Sequence, residues 1–254
     1  MKETELLHVD KWFREIEANY CLPENVDRQL RDIGYVVIEG AVAQAKRVQL
    51  SEAYDAAVLA AHPDDVSVRS STRIHDFVNR GHYFDELYIY APLLAACCHV
   101  IARPFKLSTM LARTLLPGAP AQELHVDFKR DSEGWPMIGF IFMIDEFQSD
   151  NGTTRFVPGS HMLPYSPDEV MKDAAADCEG QTLACGPAGS IIIYNGSIWH
   201  GHTANRSDKQ RRSIQGAFIR RDAQSAVNWA ARIRPETLAR IGNLAKYLLE
   251  IPRL

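Results

Sequence analysis

Apolar residues spaced three and four apart recur toward both ends of this chain, whereas its middle is filled by short apolar runs that alternate or continue unbroken. Near the start, PENVDRQLRDIGYVVIEGAV reads as a short helix followed by a strand over YVVIE that Gly40 closes. The alanine-rich AQAKRVQLSEAYDAAVLAA keeps helical spacing and stops at His62-Pro63. A further helix falls in ELYIYAPLLAACCHVIA, either interrupted or started at Pro92. From about residue 105 the pattern changes to KLSTMLARTLL, MIGFIFMIDEF, GSIIIYNGSIW and SIQGAFIRR, runs rich in β-branched and aromatic residues. Between them lie PGAPA, SDNG, VPGSH and CGPAG, which are turn chemistry. After Asp222 helical spacing returns in AQSAVNWAARIRPETLARIGNLAKYLLE, which either covers the core or forms a homodimer contact.

Helices, then many short strands, then helices predict an α+β protein with a sandwich or barrel core. No repeat, low-complexity run or Pro/Gly-rich linker divides the 254 residues, so a single domain is expected. Its parts are a helical region about 1–104, a β core about 105–221 and a helical tail about 222–254. The composition, 46% hydrophobic and 24% charged, allows a sizeable core. A net charge of −4 leaves no basic surplus for a phosphate backbone, so nucleic acid is not an expected partner. No run approaches the length of a membrane span, and the charged first twenty residues lack the apolar centre of a signal peptide. Five cysteines without a CxxC pattern fit a reduced, cytoplasmic protein, with Cys97-Cys98 packing as small hydrophobes.

Two histidine-bearing stretches stand out. In QELHVDF, His125 and Asp127 are two apart, so on extended backbone both side chains share a face and could bind one metal ion. With nine histidines in the chain, an isolated H-x-D is also easily a surface pair beside a turn. In SIWHGHTANRSDKQRRSIQG, His200 and His202 again share a face, and either could add the third ligand. Two imidazoles and a carboxylate on one side of a metal leave three positions open, as in non-haem Fe(II) oxygenases. Arg211 and Ser213 share a face of the following strand, where a guanidinium beside a hydroxyl suits a buried carboxylate. No dinucleotide, P-loop or nucleophile-elbow motif competes with this reading.

ELHVDF, DNGTTRFVPGSH and WHGHTANRSDKQRR together resemble the phytanoyl-CoA dioxygenase family of Fe(II)/2-oxoglutarate oxygenases, and the likeness runs from DIGYVVIEG near residue 32 through RRSIQGAF near 218. The resemblance implies a double-stranded β-helix, a cupin-like jelly roll, with buttressing N- and C-terminal helices. It implies His125, Asp127 and His200 as iron ligands, because the third ligand directly precedes glycine in H-G-x-x-x-N. It places the carboxylate-binding arginine at Arg211 rather than Arg212, with Ser213 assisting. Arg73 in STRIHDF, Thr109, Arg113 and Gln122 are further co-substrate or pocket candidates, whereas His161 is expected to be architectural. His202 departs from the small residue usual there and could meet co-substrate, substrate or water. The implied activity uses Fe(II), 2-oxoglutarate and O2 to oxidise a small organic molecule, and the intact Asp127 favours hydroxylation over chlorination. A metal-binding jelly roll without turnover and a metal-dependent hydrolase are the alternatives. The segment 62–86 reads as a substrate loop offering Arg69, His75 and Tyr83.

Overall fold

The structure, a computed structural model, describes residues 3–69 and 71–252, with side chains from residue 9 onward. Two helices, α1 (Glu3–Asn19) and α2 (Glu24–Asp32), precede strand β1 (Tyr35–Ile38), and α3 (Gln44–Leu59) follows it. Strands β2 (Val66–Val68) and β3 (Thr72–Ile74) then lead to helix α4 (Ala91–Val100). The long strand β4 (Phe105–Leu115) opens the β-rich half. It continues through β5 (Met137–Met143), β6 (Thr154–Phe156), the single turn α5 (Pro167–Val170), β7 (Thr182–Leu183), β8 (Ile191–Asn195), β9 (His200–His202) and β10 (Arg211–Arg220). Three short helices close the chain: α6 (Trp229–Arg232), α7 (Pro235–Arg240) and α8 (Asn243–Leu248).

The strands form two facing antiparallel sheets. The larger has the order β1-β8-β5-β10-β4-β3-β2 and the smaller β7-β6-β9. This is the predicted α+β jelly roll with helices packed outside it. Strand β5 is buried at all seven positions because both of its faces are covered. Phe140, Phe142, Ile214 and Phe218 point outward and join Leu93, Leu94 and Cys97 of α4 in one cluster. On the inner face, Ile141, Ile192 and Tyr194 pack against Phe156 and Ile198 between the sheets. Cys97 and Cys98 are buried apolar packing, as expected.

Pro92 starts α4 rather than interrupting a longer helix, since a first-turn proline loses no helical hydrogen bond. The run GSIIIYNGSIW holds one strand and the turn that leads to the next. β8 ends at Asn195, a turn follows, and β9 begins at His200 in the opposite sheet. The segment 62–86 is not the irregular loop expected. It adds the hairpin β2–β3 to the large sheet and buries Phe77, Val78 and Phe84, elements too short to show a period in sequence. The tail breaks into short helices at Pro235 and Gly242 and covers the core through Tyr247, Leu248 and Leu249. No helix among the described residues is long and apolar enough to cross a membrane.

Candidate metal centre

Strand β9 holds His200 at the edge of the small sheet, and the H-x-D segment lies along that edge. His125 and His200 face each other as an antiparallel pair, each N–H donating to the other's carbonyl at 3.0 Å. Directly paired residues project to one side, so the two imidazoles meet with ring centroids 4.4 Å apart. Gly201 makes this approach possible. A Cβ there would sit 2.9 Å from the carbonyl oxygens of Gln122 and Glu123. The backbone N–H groups of Asp127 and Phe128 donate to the Gly196 carbonyl, which anchors the carboxylate to the β8–β9 turn.

The donor atoms converge. His125 Nε2 lies 3.7 Å from Asp127 Oδ1, and His200 Nε2 lies 3.4 Å from Asp127 Oδ2. One donor from each of the three falls within 4.8 Å of the others, the one such group among the described residues. Both Nδ1–H groups are committed, to the Glu123 carbonyl for His125 and the Ile198 carbonyl for His200, each at 2.9 Å. That fixes the tautomer and turns each Nε2 lone pair toward the carboxylate, the outer-shell arrangement of metal-ligating histidines. The Tyr194 hydroxyl donates to Asp127 Oδ2 at 2.9 Å. Burial alone would raise the Asp127 pKa, but His200, His125 and the Tyr194 hydroxyl outweigh it and hold the carboxylate ionised. Burial, with the charge of His200, pushes His125 down to about 4. For His200 burial acts downward too, yet the adjacent Asp127 carboxylate raises it overall. Two neutral-capable imidazoles and one carboxylate therefore fit a divalent transition metal.

A cavity of about 630 Å³ opens beside the triad, and Arg73, Thr109, Arg113, Gln122, His202 and Arg211 all line it. Arg113 donates from each of its three nitrogens, to Ser71, Gln215 and Gln122. Burial and the neighbouring Arg73 and Arg211 push its pKa down to about 9. Arg211 differs. It is 1% exposed, stacks 4.2 Å over Phe147 and makes one hydrogen bond, from Nη1 to Ser213 Oγ at 3.3 Å, while Nε has no partner. Among the described residues it forms no ion pair, whereas Arg212 on the opposite face pairs with Asp145 and Asp55 at 2.7 and 2.6 Å. Ser213 does not line the cavity and serves to orient Arg211. His202 is 2% exposed, so it does not face bulk water; its Nδ1–H donates to the Thr203 carbonyl. Burial and Arg113 push its pKa down to about 3, so it is neutral.

Arg69, His75 and Tyr83 do not line this cavity. His75 instead meets Ser67 within the β2–β3 hairpin, and Tyr83 stacks on His82 away from the triad. Only Arg73 of that segment reaches the cavity, because β3 pairs with β4 and sets Arg73 opposite Arg113. His161 is architectural, its Nε2–H donating to the Arg31 carbonyl at 2.9 Å. Trp199 is buried and donates to the Tyr165 carbonyl.

Sequence reasoning missed three participants. Tyr194 escaped because an aromatic inside a strand looks like core. Gly139 lies across from it, and a Cβ there would fall 2.1 Å from the Tyr194 ring, so glycine lets the ring lie against the sheet. Arg155, 1% exposed, donates to the carbonyls of Ala174, Ala175, Ala176 and Gln122, tying a distant loop to the backbone ahead of His125. It stands inside the DNGTTRFVPGSH motif, where a charge directly ahead of Phe156 and Val157 was the available clue.

Comparison with known proteins decides the family. Residues 30–213 match the family described as Phytanoyl-CoA dioxygenase (PhyH). The chain belongs to the phytanoyl-CoA dioxygenase family. The chain is 38% identical over 106 residues to the dioxygenase cdmA of Talaromyces verruculosus, covering 39% of this chain but only 34% of that protein. It is 27% identical over 238 residues to the multifunctional dioxygenase prhA of Penicillium brasilianum, covering 82% of this chain and 75% of that one. The match to cdmA thus spans about a third of that relative's length. In fold it is similar to HygX from Streptomyces hygroscopicus, solved with nickel and 2-oxoglutarate bound, with a TM-score of 0.64, 14% identity and coverage of 81% and 90% of the two chains.

Proposed function

We propose that this PhyH-family protein is a non-haem Fe(II)/2-oxoglutarate-dependent dioxygenase that oxidises a C–H bond of a small organic molecule. The observation that carries the reading is Arg211, a buried guanidinium without a carboxylate partner on the cavity that the His125–Asp127–His200 triad also faces. Burying an unpaired charge is costly, so such a group persists where a ligand supplies the counter-charge. A metal-bound hydrolytic water would not need it, and a binding module without turnover would not need a triad with three open positions. The relatives named as dioxygenases and the fold neighbour bound to 2-oxoglutarate support the same choice.

His125, Asp127 and His200 would hold the iron. Bound there with 2-oxoglutarate and O2, it supplies the oxidising power for C–H cleavage, with succinate and CO2 as co-products. The protein's own part is positioning. Glu123 and Ile198 carbonyls aim the imidazoles, and Tyr194 orients the Asp127 carboxylate. Arg211, steadied by Ser213, receives the far carboxylate of 2-oxoglutarate. Gln122, Arg113, Arg73 and His202 complete the wall around the co-substrate, with Arg113 donating to the Gln122 amide oxygen at 3.0 Å, while Thr109, paired with Ala217, stands farther along the cavity.

An anaerobic titration of the apoprotein with Fe(II) and then 2-oxoglutarate tests this. A saturable visible charge-transfer band is expected, lost in His200→Ala and weakened in Arg211→Ala. No band with the metal demonstrably bound would sink the oxygenase reading.

A further inference from the structure

The strand register sorts the cavity wall into a cationic end and a neutral end. On β10, Arg211, Ser213, Gln215, Ala217 and Ile219 project to the inner face in turn. The row at Ser213 contains its β4 partner Arg113, and opposite Arg113 on β3 stands Arg73. Every arginine of the cavity therefore lies in the first two rows. The next row sets Gln215 beside Leu111 and Ile141. Level with Ala217 is Gly139, whose partner Tyr194 holds Asp127, so the metal centre marks this row. Beyond it Ile219 pairs with Met137, roughly 26 Å of extended strand from Arg211.

From the metal outward the wall has no free charge among the described residues. Met137, Ala217, Ile219 and Phe128 supply apolar surface, and Thr109 and Gln224 supply neutral hydrogen-bonding groups. The cations that follow mouth residues in the chain are engaged elsewhere. Lys129 pairs with Glu169 at 3.1 Å, Arg130 stacks on Trp135 at 4.6 Å, and Arg220 pairs with Asp131 at 2.8 Å. The bulge of β4 against Ala217 and Phe218 brings Ser108 to this wall, where the Ser225 hydroxyl and the Ala226 and Val227 N–H groups donate to it and close the side.

We infer that the primary substrate is a neutral, predominantly apolar molecule that presents at most hydroxyl or carbonyl groups, and not an anionic thioester or a charged amino-acid-like solute. The inference rests on the oxygenase reading, because the cationic end is then taken by the dicarboxylate co-substrate and only the neutral end is left. An anionic group there would find no counter-ion, and an ammonium group would find only Asp127, which the metal engages. Desolvating either against Met137 and Ile219 is unfavourable. The cavity volume of about 630 Å³ suits both occupants of a drug-sized site.

The test uses three probes on one apolar cage: 1-adamantanol, 1-adamantanecarboxylate and 1-adamantylammonium. Each is titrated calorimetrically into Co(II)- and 2-oxoglutarate-loaded protein under nitrogen. The neutral alcohol is expected to bind roughly tenfold or more tightly than either ion. In Gln224→Arg, an exposed position at the mouth, the carboxylate should gain roughly two- to fivefold. An ion binding as tightly as the alcohol, or no binding of the alcohol, overturns the inference. Chelation of 2-oxoglutarate by the loaded metal, read separately by absorbance, reports on the oxygenase reading itself, so the two failures are distinguishable.

Discussion

Tyr194 and Asp127 are joined by a 2.9 Å hydrogen bond that runs from the large sheet to the segment lying against the small one. It is the direct link between the two layers at the metal centre. Tyr194 can reach because Gly139 leaves room for its ring. Tyr194→Phe should keep the fold, since the ring remains, yet weaken metal binding by about 10- to 100-fold, the usual cost of losing an outer-shell partner. Competition between the protein and a chromophoric chelator for Co(II) measures this, and unchanged affinity would remove Tyr194 from the centre.

Gly201→Ala should act on the same centre from the other side. Its methyl group would press on the carbonyls of Gln122 and Glu123 and push the H-x-D segment off β9. The expected result is a lower melting temperature together with loss of stoichiometric metal binding, read by differential scanning calorimetry with and without Co(II).

Arg211 and Arg212 are adjacent but should respond differently. In wild-type protein 2-oxoglutarate with metal should raise the melting temperature, because it supplies the counter-charge that Arg211 lacks. Arg211→Met should abolish that rise and weaken 2-oxoglutarate binding by about 10- to 100-fold, in line with a charge-assisted bond worth about 1.5–3 kcal/mol. Arg212→Ala breaks a surface-side network with Asp145 and Asp55 and should lower stability without touching co-substrate affinity.

Arg155→Met should loosen the loop that carries Ala174, Ala175 and Ala176, since those carbonyls lose their shared donor. Leaving a buried carbonyl without its donor typically costs about 1–3 kcal/mol. Faster amide exchange across residues 173–177 and at Leu124, whose N–H donates to Ala174, would be the readout.

Metal binding should release a proton in a definite pH window. His125, pushed down to about 4, is already neutral near pH 7 and contributes none. His200, raised by Asp127, is still partly protonated there and must give up its proton to bind. Affinity should therefore rise with pH until His200 is neutral, then level off, and collapse as the pH falls toward 4. Calorimetry of Co(II) binding in buffers of different ionisation heat counts the protons, and a count of zero between pH 6 and 7 would contradict the coupling.

The sequence by itself determined the α+β order, the four long core strands and the H-x-D pair, because these depend on local period; the choice of Arg211 over Arg212 came from family resemblance. Two-residue spacing sets His125 with Asp127, and Arg211 with Ser213, on one face wherever the backbone is extended. It could not separate His200 from His202 by period, since both lie on the same face; family resemblance chose His200, and the structure brings its Nε2 to Asp127. The tertiary structure alone decided that the run from Ile191 to His202 changes sheets, that Arg73 rather than Arg69, His75 or Tyr83 reaches the cavity, and that Tyr194 and Arg155 support the centre. Each of these depends on which strands pair and in what register. Pairing across scores of residues is set by the packing of the whole core, and no local stretch of sequence carries it.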